Sequence, residues 1–143
     1  MNLDLEKSIL IEHPTIYRLL EPRFGDGQRF ECGDGWYNLI AQLSSRLEGE
    51  ARRSGNADLV VVQVKEKFGA LRVYCRGSVT ANVPDGVADA ERQSVRTCEL
   101  CGSLGTLREG AGSQYLRTLC ASCAQAAGYL HNMTNMRHTR LEP

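Results

Sequence analysis

Four of the six cysteines form two close pairs, Cys98-Glu99-Leu100-Cys101-Gly102 and Cys120-Ala121-Ser122-Cys123. Two residues between partners put both sulfurs on one side of a tight turn, and a second such pair completes the tetrahedron that zinc prefers. The 18 residues from 102 to 119 separate the pairs, inside the spacing window of zinc modules. Four thiolates fill the coordination shell and leave no open position for water or substrate. The chemistry expected of Cys98, Cys101, Cys120 and Cys123 is therefore one structural Zn2+, which holds a fold and catalyses nothing. Binding at such a site is worth on the order of 10–16 kcal/mol at neutral pH, as large as the stability of a small domain. A disulfide framework is the other use for six cysteines. Residues 1–12, however, interleave Asp4, Glu6, Lys7 and Glu12 with apolar residues and do not read as an export signal, so reduced thiolates in the cytoplasm are expected. Cys75 alternates onto an apolar strand face and reads as a small buried hydrophobe, whereas Cys32 lies in a loop where it could be exposed.

The elements that must position this centre follow from periodicity. Leu5, Ile9 and Leu10 share one helical face, Pro14 interrupts, and Ile16, Leu19 and Leu20 resume the spacing, which predicts two short helices. Pro22, Gly25, Gly27, Gly33 and Gly35 mark residues 21–35 as a loop. Asp34 is placed to cap the helix that follows, whose apolar stripe is Trp36, Leu39, Ile40, Leu43 and Leu47. Residues 59–64 are mostly β-branched, and Leu71, Val73 and Cys75 alternate with Arg72, Tyr74 and Arg76, so a hairpin is predicted with its turn at Lys67-Phe68-Gly69-Ala70. Pro84 and Asp85 suit the first turn of a helix through Val87, Ala90, Glu91 and Val95. Between the cysteine pairs, residues 106–108 and 115–119 read as strands joined by a turn at 110–112, and the second pair opens a helix through Ala124, Ala126 and Ala127. The fold class expected is α+β: an amphipathic helix on a short antiparallel sheet (residues 1–97), a four-cysteine treble-clef lobe (98–131) and a flexible tail (132–143).

Other residues able to do chemistry have plainer readings. His13, His131 and His138 have no cysteine or carboxylate pattern around them and read as solvated or tail residues. Asp26, Glu31 and Asp34 match no calcium loop and suit turns and caps. Trp36 leads the apolar stripe and is expected in the core instead of serving, with Tyr37, as a stacking platform. Alternation puts Lys65 and Lys67 on one face of their strand and Arg72, Tyr74 and Arg76 on one face of the next. If the register joins those faces, the hairpin presents a basic surface containing an aromatic ring, to which a nucleic-acid binder would add Arg108 and Arg117 of the lobe and Arg137 and Arg140 of the tail.

Composition bounds the partner. Seventeen basic side chains balance seventeen acidic ones, and the balance is flat along the chain, which disfavours a general coater of DNA or RNA. No stretch approaches the roughly 18 apolar residues of a membrane span. The knuckle Cys98-Glu99-Leu100-Cys101-Gly102 with the closing Leu119-Cys120-Ala121-Ser122-Cys123 resembles the treble-clef scaffold of HNH-type nucleases. That family places catalytic histidines between its cysteine pairs, and residues 102–119 hold no His, Asp or Asn, so the resemblance extends to the scaffold and not to the activity. The wider stretch from Gly33-Asp34-Gly35-Trp36-Tyr37 through residues 62–72 is similar to small bacterial and phage proteins, which implies a phage or prophage accessory role such as inhibition of a host defence system. The function expected is a non-enzymatic, zinc-stabilised protein that binds a protein partner. The alternative is a nucleic-acid-binding regulator using Lys65, Lys67, Arg72, Tyr74, Arg76, Arg108 and Arg117.

Overall fold

A computed structural model describes residues 1–53, 58–78, 80–129 and 131–132, the last two by their backbone. The architecture is α+β, with four α-helices and two three-stranded sheets among the described residues. Helix α1 (Leu3–Glu12) is capped by Asn2, whose side chain accepts the N–H groups of Asp4 and Leu5. Helix α2 (Tyr37–Arg53) follows a 3-10 turn (Asp34–Trp36), and its buried residues Ile40, Leu43 and Leu47 continue the stripe that Trp36 begins. Strands β2 (Val60–Lys67) and β3 (Ala70–Arg76) form the predicted antiparallel hairpin, and helix α3 (Asn82–Ser94) packs against β3 and α2. Trp36, Phe30, Ile9, Ile16, Ile40, Leu47, Leu59, Val61, Val64 and Leu71 form one core between the sheet and the helices. Strands β4 (Thr106–Glu109) and β5 (Leu116–Leu119) and helix α4 (Ala121–Ala126) build the cysteine lobe around a separate cluster of Cys98, Leu119 and Ala124.

The hairpin turn is tight. Lys67 pairs with Ala70, and the two residues between them take positive φ, 54° at Phe68 and 78° at Gly69. Two left-handed residues in sequence are the signature of a two-residue turn that matches strand twist. Glycine adopts that conformation freely, whereas for Phe68 it costs about 1–2 kcal/mol.

Several expectations are corrected. The second N-terminal helix does not form, and residues 14–19 are a run of turns. Tertiary partners take the backbone groups a helix would have used: the Glu48 carboxylate accepts the N–H of Thr15 at 3.3 Å and of Ile16 at 3.0 Å, and the Ile16 carbonyl accepts the Val61 N–H at 2.8 Å. The predicted loop over 21–35 contains strand β1 (Phe30–Glu31), which pairs parallel with β2 through Val64 and Lys65, so the sheet is mixed and not purely antiparallel. Asp34 makes no side-chain cap. Its carboxylate accepts the backbone and side-chain N–H groups of Asn2 at 2.6 and 2.9 Å, and these bonds hold it below the usual carboxylate range. Cys32, in a loop where it could have been exposed, is buried, and burial pushes its thiol up to about 12. Cys75 is half-buried. His13 is also buried, with its Nε2 3.4 Å from the Ser45 hydroxyl. The tail begins ordered: His131–Asn132 form strand β6 against Glu109 and Arg108, while Arg137, His138 and Arg140 lie outside the described residues.

Glu48 gives this arrangement a pH signature. Burial raises its carboxyl, but hydrogen bonds from Thr15, Ile16 and Arg52 outweigh burial and leave it below its ordinary value. A depressed carboxylate contributes stability that is complete above the unfolded-state pKa, about 4.3, and is lost as pH falls through the folded value. Urea titrations are therefore expected to show stability falling below about pH 4, with Glu48→Gln flattening that slope.

Candidate metal centre

The two cysteine pairs reach the centre from different local structures. Cys98 and Cys101 lie on a knuckle closed by the Gly102 N–H to the Cys98 carbonyl at 2.8 Å, and Gly102 takes φ +79° as the chain turns out of it. Cys120 is the N-cap of α4, its sulfur accepting the Cys123 N–H at 3.4 Å, and Cys123 sits in the first turn. Knuckle, hairpin and helix follow in the order predicted.

The four Sγ atoms lie within 4.8 Å of one another, and those of Cys101 and Cys120 are 3.7 Å apart. A tetrahedron with zinc–sulfur bonds of about 2.3 Å has edges of about 3.8 Å, so this donor set fits a tetrahedral metal ion. Cys98 is fully buried, Cys120 and Cys123 are half-buried and Cys101 is exposed. The Ser122 hydroxyl and then the Cys123 N–H hold the Cys120 thiol down to about 6. Hydrogen bonds from the Ser103 side chain and backbone lower Cys101. Cys123 moves the other way, up to about 12, because hydrogen bonds with the Cys120 and then the Cys101 sulfur favour its protonated form. Four thiolates this close repel one another, and a divalent cation is the charge that would let all four form.

Glu99, between Cys98 and Cys101, joins the lobe to the body. It is only 3% exposed; one carboxylate oxygen accepts the Gly33 N–H at 2.9 Å and the other the Arg117 Nε–H at 2.7 Å. Its carbonyl accepts the Gly35 N–H at 2.7 Å, and its own N–H donates to the Thr118 carbonyl at 2.9 Å. Alongside, the Trp36 indole N–H donates to the Thr97 carbonyl at 2.8 Å. A Cβ on Gly35 would stand 2.1 Å from the Cys98 carbonyl oxygen and 2.7 Å from the Cys101 nitrogen, so only glycine admits the knuckle. A second contact lies at the hairpin turn, where the Thr118 hydroxyl donates to the Gly69 carbonyl at 2.6 Å and a Cβ on Gly69 would meet Leu107 at 2.2 Å. None of these docking residues was singled out as part of the centre from sequence. The only signal available was the concentration of glycines around Asp34.

The basic surface is partly assembled. Lys65 pairs with Arg72 and Gln63 with Tyr74, which brings the predicted faces together and puts the Lys65 ammonium 5.8 Å from the Tyr74 ring centroid. Arg72 turns to Glu91 at 3.6 Å and to the Leu71 carbonyl at 2.9 Å. Arg108 donates to the Leu119 carbonyl at 3.1 Å, so Arg108 and Arg117 brace the lobe from within. Lys67, Tyr74 and Arg76 are exposed, and Lys65 is half-buried. The candidate acids have structural partners: Asp26 accepts the Gln28 N–H, and Glu31 meets Arg23 and Gln63. Trp36 is fully buried. Among the described residues no helix is long and apolar enough to cross a membrane. No family model, curated protein or solved structure matches the chain.

Proposed function

We propose that this is a zinc-stabilised binding protein without catalytic activity that acts through contacts with a protein partner. The observation carrying this reading is the four-sulfur set, joined through Glu99, Gly35 and Trp36 to the body so that knuckle, hairpin and body form one connected scaffold. A metal held by four thiolates organises surface and offers no coordination position for chemistry. Zinc is favoured among metals by an all-thiolate set of tetrahedral size. The resemblance to small bacterial and phage proteins supports host machinery, including a defence system, as the place to seek the partner. The competing reading, a nucleic-acid regulator, retains Lys65, Lys67 and Arg76, but the internal pairing of Arg72, Arg108 and Arg117 leaves it few phosphate contacts.

The test is a pull-down with tagged protein from nuclease-treated bacterial lysate, alongside elemental analysis of the bait. About one zinc per chain is expected, together with a protein retained after nuclease treatment and released when the bait is first stripped of metal. Bait recovered alone, or partners that vanish with the nucleic acid, would count against the reading.

A further inference from the structure

Phe68 stands at the tip of the β2–β3 turn in a left-handed conformation with 70% of its surface exposed, and Tyr115, at the end of the loop between β4 and β5, is 76% exposed. Phe68 does not serve the fold, since asparagine or glycine would make the same turn without strain or an exposed ring. The two rings line one open groove of about 620 Å³, completed by Glu66, Lys67, Ser113, Gln114 and Leu116. Its walls are fixed relative to one another, because the Thr118 hydroxyl donates to the Gly69 carbonyl at 2.6 Å and Leu107 packs on that glycine. One surface thus carries a projecting ring and, beside it, a recess able to take a ring. That combination suits a copy of itself.

The charges of the lining have the same property. Glu66 and Lys67 are its two charged residues, one of each sign. As successive residues of β2 they point to opposite faces of the strand and do not pair with each other. Among the described residues neither has an ion-pair partner within the chain, and the Lys67 ammonium lies 5.5 Å from the Phe68 ring centroid. One Glu66 oxygen accepts the Gly69 N–H at 2.6 Å, yet burial holds the carboxyl above its ordinary value, so a cation brought beside it would relieve a cost that the single chain bears. A groove with balanced charge prefers neither an acidic nor a basic ligand. Turned about a two-fold axis, however, it sets each Lys67 against the Glu66 of the other copy. The whole chain is neutral, with seventeen basic and seventeen acidic side chains, so identical copies do not repel at long range. We propose that this groove is the contact surface of a reversible symmetric dimer, in which Phe68 of each copy enters the groove of the other beside Tyr115 and two Lys67–Glu66 pairs flank the rings. The dimer goes beyond the binding-protein reading above and does not depend on it.

Sedimentation equilibrium of the metal-loaded full-length protein, from micromolar to near-millimolar concentration, is the test. The mass of the wild type is expected to rise from the 15.8 kDa of one chain toward twice that value. Phe68→Gly and Tyr115→Ala should each weaken the dimer at least about tenfold. Phe68→Gly removes the ring and the backbone strain together, so at a concentration where the wild type is monomeric it should melt at a higher temperature, which separates a lost contact from a lost fold. Lys67→Glu and Glu66→Lys should each weaken self-association, because each sets like charges across the axis. An equimolar mixture of the two should recover it, since every facing pair is then Lys against Glu. Phe24→Ala, a ring 64% exposed in a different loop, should leave the equilibrium unchanged. A mass that stays at one chain throughout, a dimer equally strong in Phe68→Gly and Tyr115→Ala, or a mixture of the two folded charge variants no tighter than its components would overturn the proposal; if Glu66→Lys does not fold, the ring variants decide it alone. A lysate protein or a twelve-nucleotide oligothymidine whose binding needs Phe68 in a chain monomeric at every concentration would overturn it too, and assign the groove to that ligand.

Discussion

Withdrawing the metal, by chelation or by Cys98→Ser, is expected to unfold the lobe and to disturb the body that it touches. The reasoning starts from the size of the lobe's own core. Cys98, Leu119 and Ala124 are its fully packed members, and such a cluster cannot offset the chain entropy of residues 97–129 without a cross-link. A four-thiolate metal contributes on the order of 10–16 kcal/mol, so its removal takes away more than the lobe can spare. The disturbance reaches the body because the Gly33 and Gly35 N–H groups and the Trp36 indole N–H all donate to residues 97–99. Left buried without those acceptors, each would cost about 1–3 kcal/mol. Trp36 is the sole tryptophan and is fully buried, which makes it the reporter. Chelation should move its emission to longer wavelength and collapse hydrogen-exchange protection across β4, β5 and α4. Unchanged emission and protection after the metal has been removed would show that the lobe stands without it.

Gly35→Ala is expected to be nearly as damaging, although it touches no ligand side chain. The added methyl would lie 2.1 Å from the Cys98 carbonyl oxygen, 2.5 Å from the Gly102 nitrogen and 2.7 Å from the Cys101 nitrogen. All three are backbone atoms of the knuckle, which cannot yield as a flexible side chain would. The loop must therefore withdraw, and with it go the Gly35 bond to Glu99 and the seating of Trp36. A loss of about 3 kcal/mol or more is expected in chemical denaturation, with weaker retention of metal against a competing chelator. Gly25→Ala in the same loop, where nothing lies within 4 Å of the added methyl, should stay within about 0.5 kcal/mol of wild type. Equal stability of the two variants would remove Gly35 from the metal-supporting frame.

Local pattern carried much of this organisation. Two CxxC pairs define a donor set within a short stretch of chain, and the structure gathers those four sulfurs. The α2 stripe and the Phe68-Gly69 turn were equally legible, since both arise from contacts between residues close in sequence. The turns at 14–19, the parallel pairing of β1 and the burial of Cys32 and His13 were not legible, because each depends on a partner far along the chain. Ile16 donates its N–H to the Glu48 carboxylate, and Phe30 pairs with Val64. Helical spacing in residues 16–20 was real, but buried hydrogen-bond acceptors elsewhere satisfied that backbone in a non-helical form.

The sequence by itself determined a four-cysteine donor set able to hold a metal ion and the elements that carry it, because cysteine spacing and hydrophobic period act over a few residues. Only the tertiary structure decided how that centre is joined to the body. Glu99 and Gly33 are 66 positions apart, and the glycines of that loop acquire their role from the backbone that comes to rest against them. The same holds at the surface, where Phe68 and Tyr115 become one groove because Thr118 reaches the Gly69 carbonyl across 49 residues of chain.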